Sequence, residues 1–98
     1  MDLCNEKALY ELCWEIDARY SLFILINNAG TGGTKRFATC TPNYLDCMLR
    51  LNMRVPVLLT RYLLANLRRV PEAFILNVAS MAAFSPIGFK TIYPASKS

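Results

Sequence analysis

The sequence has no histidine among its 98 residues. Ser-His-Asp triads, Cys-His pairs and His-containing zinc sites all require an imidazole, so this chain by itself can form none of them. Acid–base chemistry near neutral pH would therefore have to come from a tyrosine, a lysine, a cysteine or a carboxylate whose surroundings shift its proton affinity.

Disulfide and membrane signals are also missing. The acidic N-terminal segment contains no secretory signal, and no C-x-x-C pair occurs among Cys4, Cys13, Cys40 and Cys47. This pattern favours reduced thiols in the cytoplasm over a disulfide framework or a metal site. The longest purely apolar run, residues 22–26, is far shorter than the roughly 20 residues that span a bilayer. We therefore expect a soluble cytoplasmic protein with no membrane partner.

Charged side chains make up only 18% of the chain against 54% hydrophobic residues, which favours a globular domain or part of one. Residues 1–20 carry five acidic and two basic side chains, whereas the remainder carries nine basic and two acidic ones. This asymmetry fits either an anionic ligand near the second part, or a solvated helix face and contacts with protein outside the chain. The basic residues are scattered without interleaved aromatic residues, so we expect no nucleic acid partner.

Hydrophobic periodicity predicts three helical segments. Residues 5–19 form an amphipathic pattern that Asn5 can cap. A second helix begins at Thr41-Pro42, with threonine as the N-cap and proline in the first turn, and we expect it to reach about Arg69. Its apolar stripe comprises Leu45, Met48, Leu49, Leu59, Leu63 and Leu67. Residues 92–98 have the pattern of the first turns of another helix.

Two continuous apolar runs, residues 22–27 and 73–79, are typical of strands that are buried on both faces. A helix between two such strands predicts a right-handed parallel β-α-β unit, from which doubly wound α/β folds are built. Ligands of these folds bind beyond the carboxyl ends of the strands. Asn28 and Ser80 follow the two strands at these ends, and residues 80–91 are predicted to form a loop.

Asn52 falls on the apolar stripe of the long helix, where an amide is unfavourable unless it has a polar partner. Pro56 stands four residues later and has no N–H to donate. The carbonyl of Asn52 should therefore lose its helical hydrogen bond, and the helix should kink. A free backbone acceptor beside a buried amide is suited to binding a water molecule. A structural kink with an incidental asparagine is the alternative interpretation.

Tyr93 and Lys97 are four residues apart at the start of the last predicted helix, so their side chains share one face. An ammonium group near a phenol favours the phenolate, which makes such a pair suitable for general acid–base catalysis. The same spacing also occurs by chance, so the pair alone identifies no function.

Three further polar residues stand at defined distances from this pair. Ser80 precedes Tyr93 by 13 residues, Asn52 precedes Ser80 by 28, and Asn28 precedes Asn52 by 24. In this arrangement the chain resembles the short-chain dehydrogenase/reductase family, in its compact single-domain branch, over essentially its whole length. The matching motifs are Asn28-Ala29-Gly30, Asn52, Asn77-Val78-Ala79-Ser80 and Tyr93-Pro94-Ala95-Ser96-Lys97, with Asp2-Leu3 at the position of an acidic residue of the family. The resemblance implies a Rossmann-like doubly wound parallel sheet, of which this chain holds the central β-α-β portion with flanking helices.

The resemblance also implies a catalytic set. Tyr93 would exchange a proton with a carbonyl or alcohol substrate, and Lys97 would favour its phenolate form and bond to the nicotinamide ribose, so both would lie beside the cofactor. Ser80 would hold the substrate oxygen. Asn52 would support a water-linked proton path to Lys97.

A second set would hold the cofactor, which is NAD or NADP. Asn28, Ala29 and Gly30 would let the backbone approach it closely, and Asp2 would contact the adenine ring. A turn-shaping role for Asn28 and simple exposure of Asp2 are the alternatives. The resemblance further implies a small-molecule carbonyl or alcohol substrate and a homo-oligomeric enzyme. Four apolar residues fit either a wall of the substrate site or ordinary packing, namely Met81, Phe84, Ile87 and Phe89.

The chain also departs from the family pattern. No glycine-rich phosphate loop precedes Asp2. Gly30 ends the Asn-Ala-Gly motif, and Gly32 and Gly33 follow it, so these glycines do not open a helix in the required pattern. We therefore interpret residues 1–98 as a partial NAD(P)-binding domain that is inactive by itself, with the segments that cover the substrate missing after Lys97. The alternative is a non-catalytic remnant or a protein-interaction fragment. The coding sequence on both sides would distinguish the two.

Overall fold

The computed structural model describes residues 1–32, 36–84 and 92–98. Its helices and strands are α1 (Glu6–Arg19), β1 (Ile24–Asn27), α2 (Pro42–Leu49), α3 (Val55–Leu67), β2 (Phe74–Asn77) and α4 (Ile92–Ser96). Turns of 3-10 helix lie at Phe37–Thr39 and Met81–Ala83, and a π-helical turn at Arg50–Arg54 joins α2 to α3. The predicted order of helices and strands is confirmed. Residues 85–91 of the predicted loop lie outside the described part of the chain.

The two strands form a parallel pair, in which Asn27 lies beside Asn77. Hydrogen bonds continue at both ends of the pair, because the Phe74 N–H donates to the Phe23 carbonyl (2.8 Å) and the Val78 N–H donates to the Asn27 carbonyl (3.0 Å). The α3 helix that connects the strands packs against both of them. The predicted parallel β-α-β unit is therefore confirmed, and both carboxyl ends lie at the same edge of the sheet.

Burial of the strands differs from the prediction. Leu25 of β1 packs against the helices. The opposite side, here called the open sheet face, consists of Ile24, Ile26, Phe74 and Leu76, which are between 39% and 53% exposed. Within the described ranges no element covers this face, so the expectation of strands buried on both sides is wrong for this chain. Continuous apolar runs predict a two-sided environment. Here β1 is covered on one side only, and all four residues of β2 are exposed.

The core lies between α1 and α3, where Leu9, Cys13 and Leu63 are almost completely buried. The first helix begins as predicted, because the side-chain oxygen of Asn5 accepts the N–H of Ala8 (3.1 Å). Burial raises the pKa of the Cys13 thiol, so this side chain stays protonated and behaves as a small apolar group.

A buried amide that the sequence patterns did not single out fixes the entry into β1. Asn66 of α3 is fully buried. Its side-chain oxygen accepts the N–H of Leu22 (2.8 Å), and its nitrogen donates to the carbonyl of Tyr20 (2.7 Å) and to a carboxylate oxygen of Asp17 (3.0 Å). The amide thereby satisfies two backbone groups of the α1–β1 connection, which would otherwise be buried without partners.

The uneven charge distribution is partly balanced within the chain. Arg54 forms an ion pair with Glu6, and Arg69 forms one with Asp17 at 3.0 Å. Both pairs join the acidic first helix to the basic second part. They are about half exposed, so each contributes little to stability, but together they account for part of the asymmetry without an anionic ligand.

The predicted long helix begins as expected, because the hydroxyl of Thr41 accepts the N–H of Tyr44 (3.1 Å). Its apolar stripe is only partly buried, and Leu49 is 37% exposed. The last helical residue is Leu67, two residues before the predicted end at Arg69.

The helix is disturbed at Asn52 and Pro56, as predicted, but the disturbance is a π-helical turn rather than a kink in a continuous α-helix. In this turn the N–H of Val55 donates to the carbonyl of Arg50, five residues earlier. Pro56 has no N–H, so the same pattern cannot continue by one more residue. Such π turns occur often at functional sites.

All four cysteines are free, as expected. In the described ranges, none of the helices combines the length and apolar character that crossing a membrane requires. The same ranges contain no group of three cysteine, aspartate or glutamate side chains that could hold a metal ion.

Because of the open sheet face, we predict that these 98 residues associate with one another when they are expressed alone. Its exposed apolar side chains and the unpaired edges of a two-stranded sheet should drive association. We expect light scattering after gel filtration to show species larger than a monomer, with no binding of NAD or NADP by fluorescence. Replacing the paired residues Ile26 and Leu76 by threonine should reduce association without creating dinucleotide binding.

The matched control is Trp14→Thr, which changes a 67% exposed apolar side chain on α1, outside the open sheet face, and should leave association unchanged. A monodisperse monomer of the original chain that melts cooperatively and binds either dinucleotide would contradict the prediction.

Candidate active site

The side chain of Lys97 lies between the ends of the two strands. Its Nζ donates a hydrogen bond to the carbonyl of Val78, directly after β2, at 3.2 Å. On the other side it approaches the backbone after β1, because a Cβ placed on Gly30 would lie only 3.0 Å from this Nζ. The ammonium group is thus positioned where sequence and topology predicted a ligand site.

The ring of Tyr93 contacts the same loop two residues further on. A Cβ on Gly32 would meet three ring carbons of Tyr93 at 3.5–3.6 Å, which is ordinary van der Waals contact. The phenol of Tyr93 and the ammonium of Lys97 therefore approach neighbouring parts of one backbone segment. A methyl group at Gly30 would therefore crowd the side chains of Lys97 and Asn52. A methyl group at Gly32 would fit beside the Tyr93 ring without crowding.

A cavity of about 210 Å³ lies at this place. Its walls are Asn28, Gly30, Thr31, Gly32, Val78, Ala79, Tyr93 and Lys97. It combines residues that follow both strands with the two ionisable side chains of the α4 segment. The structure thus brings together Asn28, Gly30, Tyr93 and Lys97, four of the residues predicted to form the site.

Asn52 connects this region to the π turn. It is 6% exposed, and its side-chain oxygen accepts the N–H of Thr31 at 2.8 Å. Its side-chain nitrogen donates to the carbonyl of Thr31 at 2.8 Å and to Oγ of Ser96 at 2.9 Å. The burial of this amide was predicted, and its partners are the glycine-containing loop and α4.

A second cavity, of about 320 Å³, adjoins the first and is lined by Asn27, Ala29, Asn52, Pro56, Asn77 and Lys97 among others. Two amides face each other across the strand ends here, because Nδ2 of Asn27 donates to Oδ1 of Asn77 at 2.7 Å. The Oδ1 of Asn27 is buried without a hydrogen-bond partner among the described residues. A buried acceptor beside a cavity is a place where a water molecule fits well.

Two predicted site residues, Ser80 and Asp2, line neither of these two cavities. The hydroxyl of Ser80 accepts the N–H of Ala82 at 3.2 Å and so caps the 3-10 turn Met81–Ala83, which packs against α4. Asp2 is exposed, and its carboxylate accepts the N–H of Cys4 at 2.9 Å. Their roles toward substrate and adenine remain predictions.

Comparison with known proteins gives a consistent result. The family model described as short chain dehydrogenase matches residues 1–98. The chain belongs to the short-chain dehydrogenase family. Among curated relatives, it is 31% identical over 94 residues to L-xylulose reductase of Caenorhabditis elegans, and 34% identical over 98 residues to the uncharacterized oxidoreductase DltE of Bacillus subtilis. These matches cover 95% and 98% of this chain but only 36% and 38% of the two relatives.

Solved structures of the short-chain dehydrogenase family superpose closely on the chain. A metagenomic short-chain oxidoreductase in complex with NADP has a TM-score of 0.89 at 28% identity, over 98% of this chain and 44% of that one. The expected Rossmann-like fold is therefore confirmed. The expected type of cofactor also occurs in this relative.

Three residues that lie near the site were not predicted from the sequence, namely Asn27, Thr31 and Ser96. Thr31 contributes only backbone groups, which have no sequence signature. Asn27 ends a strand and Ser96 lies inside the Tyr93–Lys97 motif, so a search for buried polar residues next to predicted site residues would have found both.

The crowding at Gly30 predicts a difference between two alanine variants of the full gene product that carries this chain. Gly30→Ala should displace Lys97 or Asn52, because its Cβ would lie 3.0 Å from Nζ and 3.1 Å from the Asn52 oxygen. We expect turnover to fall about tenfold, because the close contacts require shifts of only a few tenths of an ångström. Gly32→Ala should cost less than about twofold. Steady-state kinetics on both variants test this, and equal losses would contradict it.

The contacts of Asn52 predict a loss of stability in Asn52→Leu. Leucine suits an apolar helix face, but it leaves the N–H and carbonyl of Thr31 and the hydroxyl of Ser96 without their partner. We expect the full gene product to lose about 1–3 kcal/mol in free energy of unfolding, measured in urea. Asn43→Leu, an exposed amide on α2, is the control and should change it by less than about 0.5 kcal/mol.

Proposed function

We propose that this chain forms the catalytic part of an NAD(P)-dependent oxidoreductase that interconverts a small carbonyl compound and its alcohol. The observation that carries the proposal is the meeting of Tyr93 and Lys97 with the Gly30–Gly32 backbone at the carboxyl ends of both strands. Parallel α/β sheets bind their ligands at this edge. In a chain without histidine, a phenol beside an ammonium group is a suitable acid–base pair.

The residues around the smaller cavity fit a nicotinamide nucleotide. The absence of a Cβ at Gly30 leaves the backbone and Nζ of Lys97 accessible to the same ligand. Lys97 and Tyr93 would hold the ribose next to the nicotinamide, and Asn28, Ala29 and Gly30 would pass close to it. Contact between Asp2 and the adenine ring belongs to the same proposal.

In the direction of reduction, the carbonyl carbon would receive a hydride, which is the chemistry that a bound dinucleotide would supply. The Tyr93 phenol gives its proton to the carbonyl oxygen, so the substrate gains one hydride and one proton and leaves as an alcohol. The Lys97 ammonium stabilises the resulting phenolate. In the direction of oxidation, the phenolate of Tyr93 takes the proton from the alcohol.

Ser80 would hold the reacting oxygen. Its hydroxyl accepts the N–H of Ala82, which leaves its own proton available for donation to the substrate. Met81 and Phe84 are 86% and 84% exposed, which supports an apolar wall next to Ser80 over ordinary packing. Ile87 and Phe89 lie outside the described residues.

Partners and location follow the family resemblance. A row of exposed apolar side chains on the outer side of the long helix, Leu49, Met53 and Val57, supports a homo-oligomeric enzyme. The four free thiols support a cytoplasmic location. We propose neither a nucleic acid nor a membrane partner.

The alternative is a non-catalytic remnant or a protein-interaction fragment of such an enzyme. The observation that favours it is the open sheet face, which offers apolar surface to another protein. A glycine-rich loop encoded in frame before Met1 would favour the enzyme.

The test of the proposed mechanism is Tyr93→Phe in the full gene product. Activity is measured with NADH and NADPH on L-xylulose and acetophenone, which represent a sugar and an apolar ketone. We expect turnover to fall at least about 1000-fold, because the phenol proton is needed in the transition state. The dissociation constant of the dinucleotide should change by less than about threefold, since other groups hold it.

Tyr10→Phe is the matched control, because this tyrosine packs edge-on against Tyr62 on α3 through its ring, far along the chain from α4. It should retain full turnover. A Tyr93→Phe variant that keeps its activity, or that loses activity and dinucleotide binding equally, counts against a catalytic Tyr93.

A further inference from the structure

Ser96 connects Asn52 of the π turn to the backbone of Tyr93 in α4. Its side chain is buried, with only 8% of the residue exposed. The hydroxyl donates to the carbonyl of Tyr93 at 2.8 Å and accepts from Nδ2 of Asn52 at 2.9 Å. Since Asn52 also bonds to both backbone groups of Thr31, a continuous series of hydrogen bonds joins the loop after β1 to the turn that carries Tyr93.

The α4 segment has little stability of its own. It comprises five residues, Ile92–Ser96, which is too short for an independently stable helix. The N–H of Lys97 donates to the carbonyls of Tyr93 (3.1 Å) and Pro94 (3.2 Å). The carbonyl of Tyr93 thus accepts both the Ser96 hydroxyl and the Lys97 N–H, so a shift of Ser96 would move both site residues.

We infer that Ser96 is a positioning residue whose hydroxyl anchors the Tyr93–Lys97 turn to Asn52. The inference rests on the proposed function, in which turnover depends on how closely the Tyr93 phenol and the Lys97 ammonium are held to the reacting groups. The other contact of the Lys97 side chain, from Nζ to the carbonyl of Val78, is a single 3.2 Å bond at the end of a flexible side chain. It holds the ammonium group but does not fix the direction of the α4 backbone, whose remaining support is packing against α2 and the 3-10 turn Met81–Ala83.

Loss of the Ser96 hydroxyl should therefore affect the chemical step more than substrate binding. The anchor holds Tyr93 and Lys97 in position, and misplacement of such groups slows turnover. In the proposed function the Ser96 hydroxyl does not contact the substrate, so the KM for the substrate should change little.

The decisive comparison uses four forms of the full gene product: the original protein, Ser96→Ala, Ser96→Thr and Ser98→Ala. Ser98 donates a hydrogen bond to the carbonyl of Pro94 at 3.0 Å, a similar bond in the same segment, but it is exposed and does not contact Asn52. Threonine retains the hydroxyl that alanine removes. Oxidation of the alcohol derived from L-xylulose or acetophenone, whichever ketone is reduced faster, is followed at a fixed pH with NAD or NADP, and kcat and the KM for the alcohol are determined separately.

We expect Ser96→Ala to lower kcat about 10- to 100-fold and to change the KM for the alcohol less than about threefold. Ser96→Thr should restore most of kcat, and Ser98→Ala should match the original protein. Ser96→Ala with the original kcat overturns the inference. A loss of kcat that Ser96→Thr does not restore also overturns it, because that result shows that the hydroxyl is not the group that matters.

Hydrogen exchange of the protein without dinucleotide gives a readout that does not depend on activity. Amides in the peptide covering residues 92–98 should exchange faster in Ser96→Ala than in the original protein and in Ser98→Ala. If the original protein reduces neither ketone, the proposed function fails for these substrates, while unchanged exchange in Ser96→Ala refutes the anchor separately. If Ser96→Ala does not fold, Ser96→Cys replaces it, since a thiol of similar size forms weaker hydrogen bonds. An unchanged kcat in Ser96→Cys would then refute the inference.

Discussion

The buried amide of Asn52 is the contact on which the candidate site depends most. It is the point where the π turn, the loop after β1 and the α4 segment are held together, through both backbone groups of Thr31 and the hydroxyl of Ser96. An amide can do this because it carries an acceptor and two donors in one rigid plane. An apolar side chain of the same size would fill the space without fixing the direction of either neighbour.

The π turn explains how a long helix presents such an amide. Within Arg50–Arg54 each turn holds an extra residue, and Pro56 prevents the wider hydrogen-bonding pattern from continuing. The helix therefore changes its period beside the strand ends. Without that change, the residues before and after the turn would present a different face to the loop.

Much of this arrangement can be predicted from the sequence, because its signals are local. The caps at Asn5 and Thr41, the two apolar runs and the Asn52–Pro56 spacing correctly predict the order of elements and the place of the helix disturbance. The partners of Asn52 and Asn66 could not be predicted, because their contacts join residues more than 20 positions apart. The exposure of β2 could not be predicted either, since an apolar run carries no information about which of its faces is covered.

The open sheet face and the buried hydrogen bonds of Asn52 and Ser96 affect the site in different ways. Burial of apolar side chains is non-directional, so adding or removing cover on a sheet face changes stability more than it changes local geometry. Hydrogen bonds from Asn52 and Ser96 are directional and act over short distances. The relative position of Tyr93, Lys97 and the Gly30 backbone is set by these bonds. It therefore depends on a few local contacts at one edge of the sheet, although the stability of the whole domain depends on how its other face is covered.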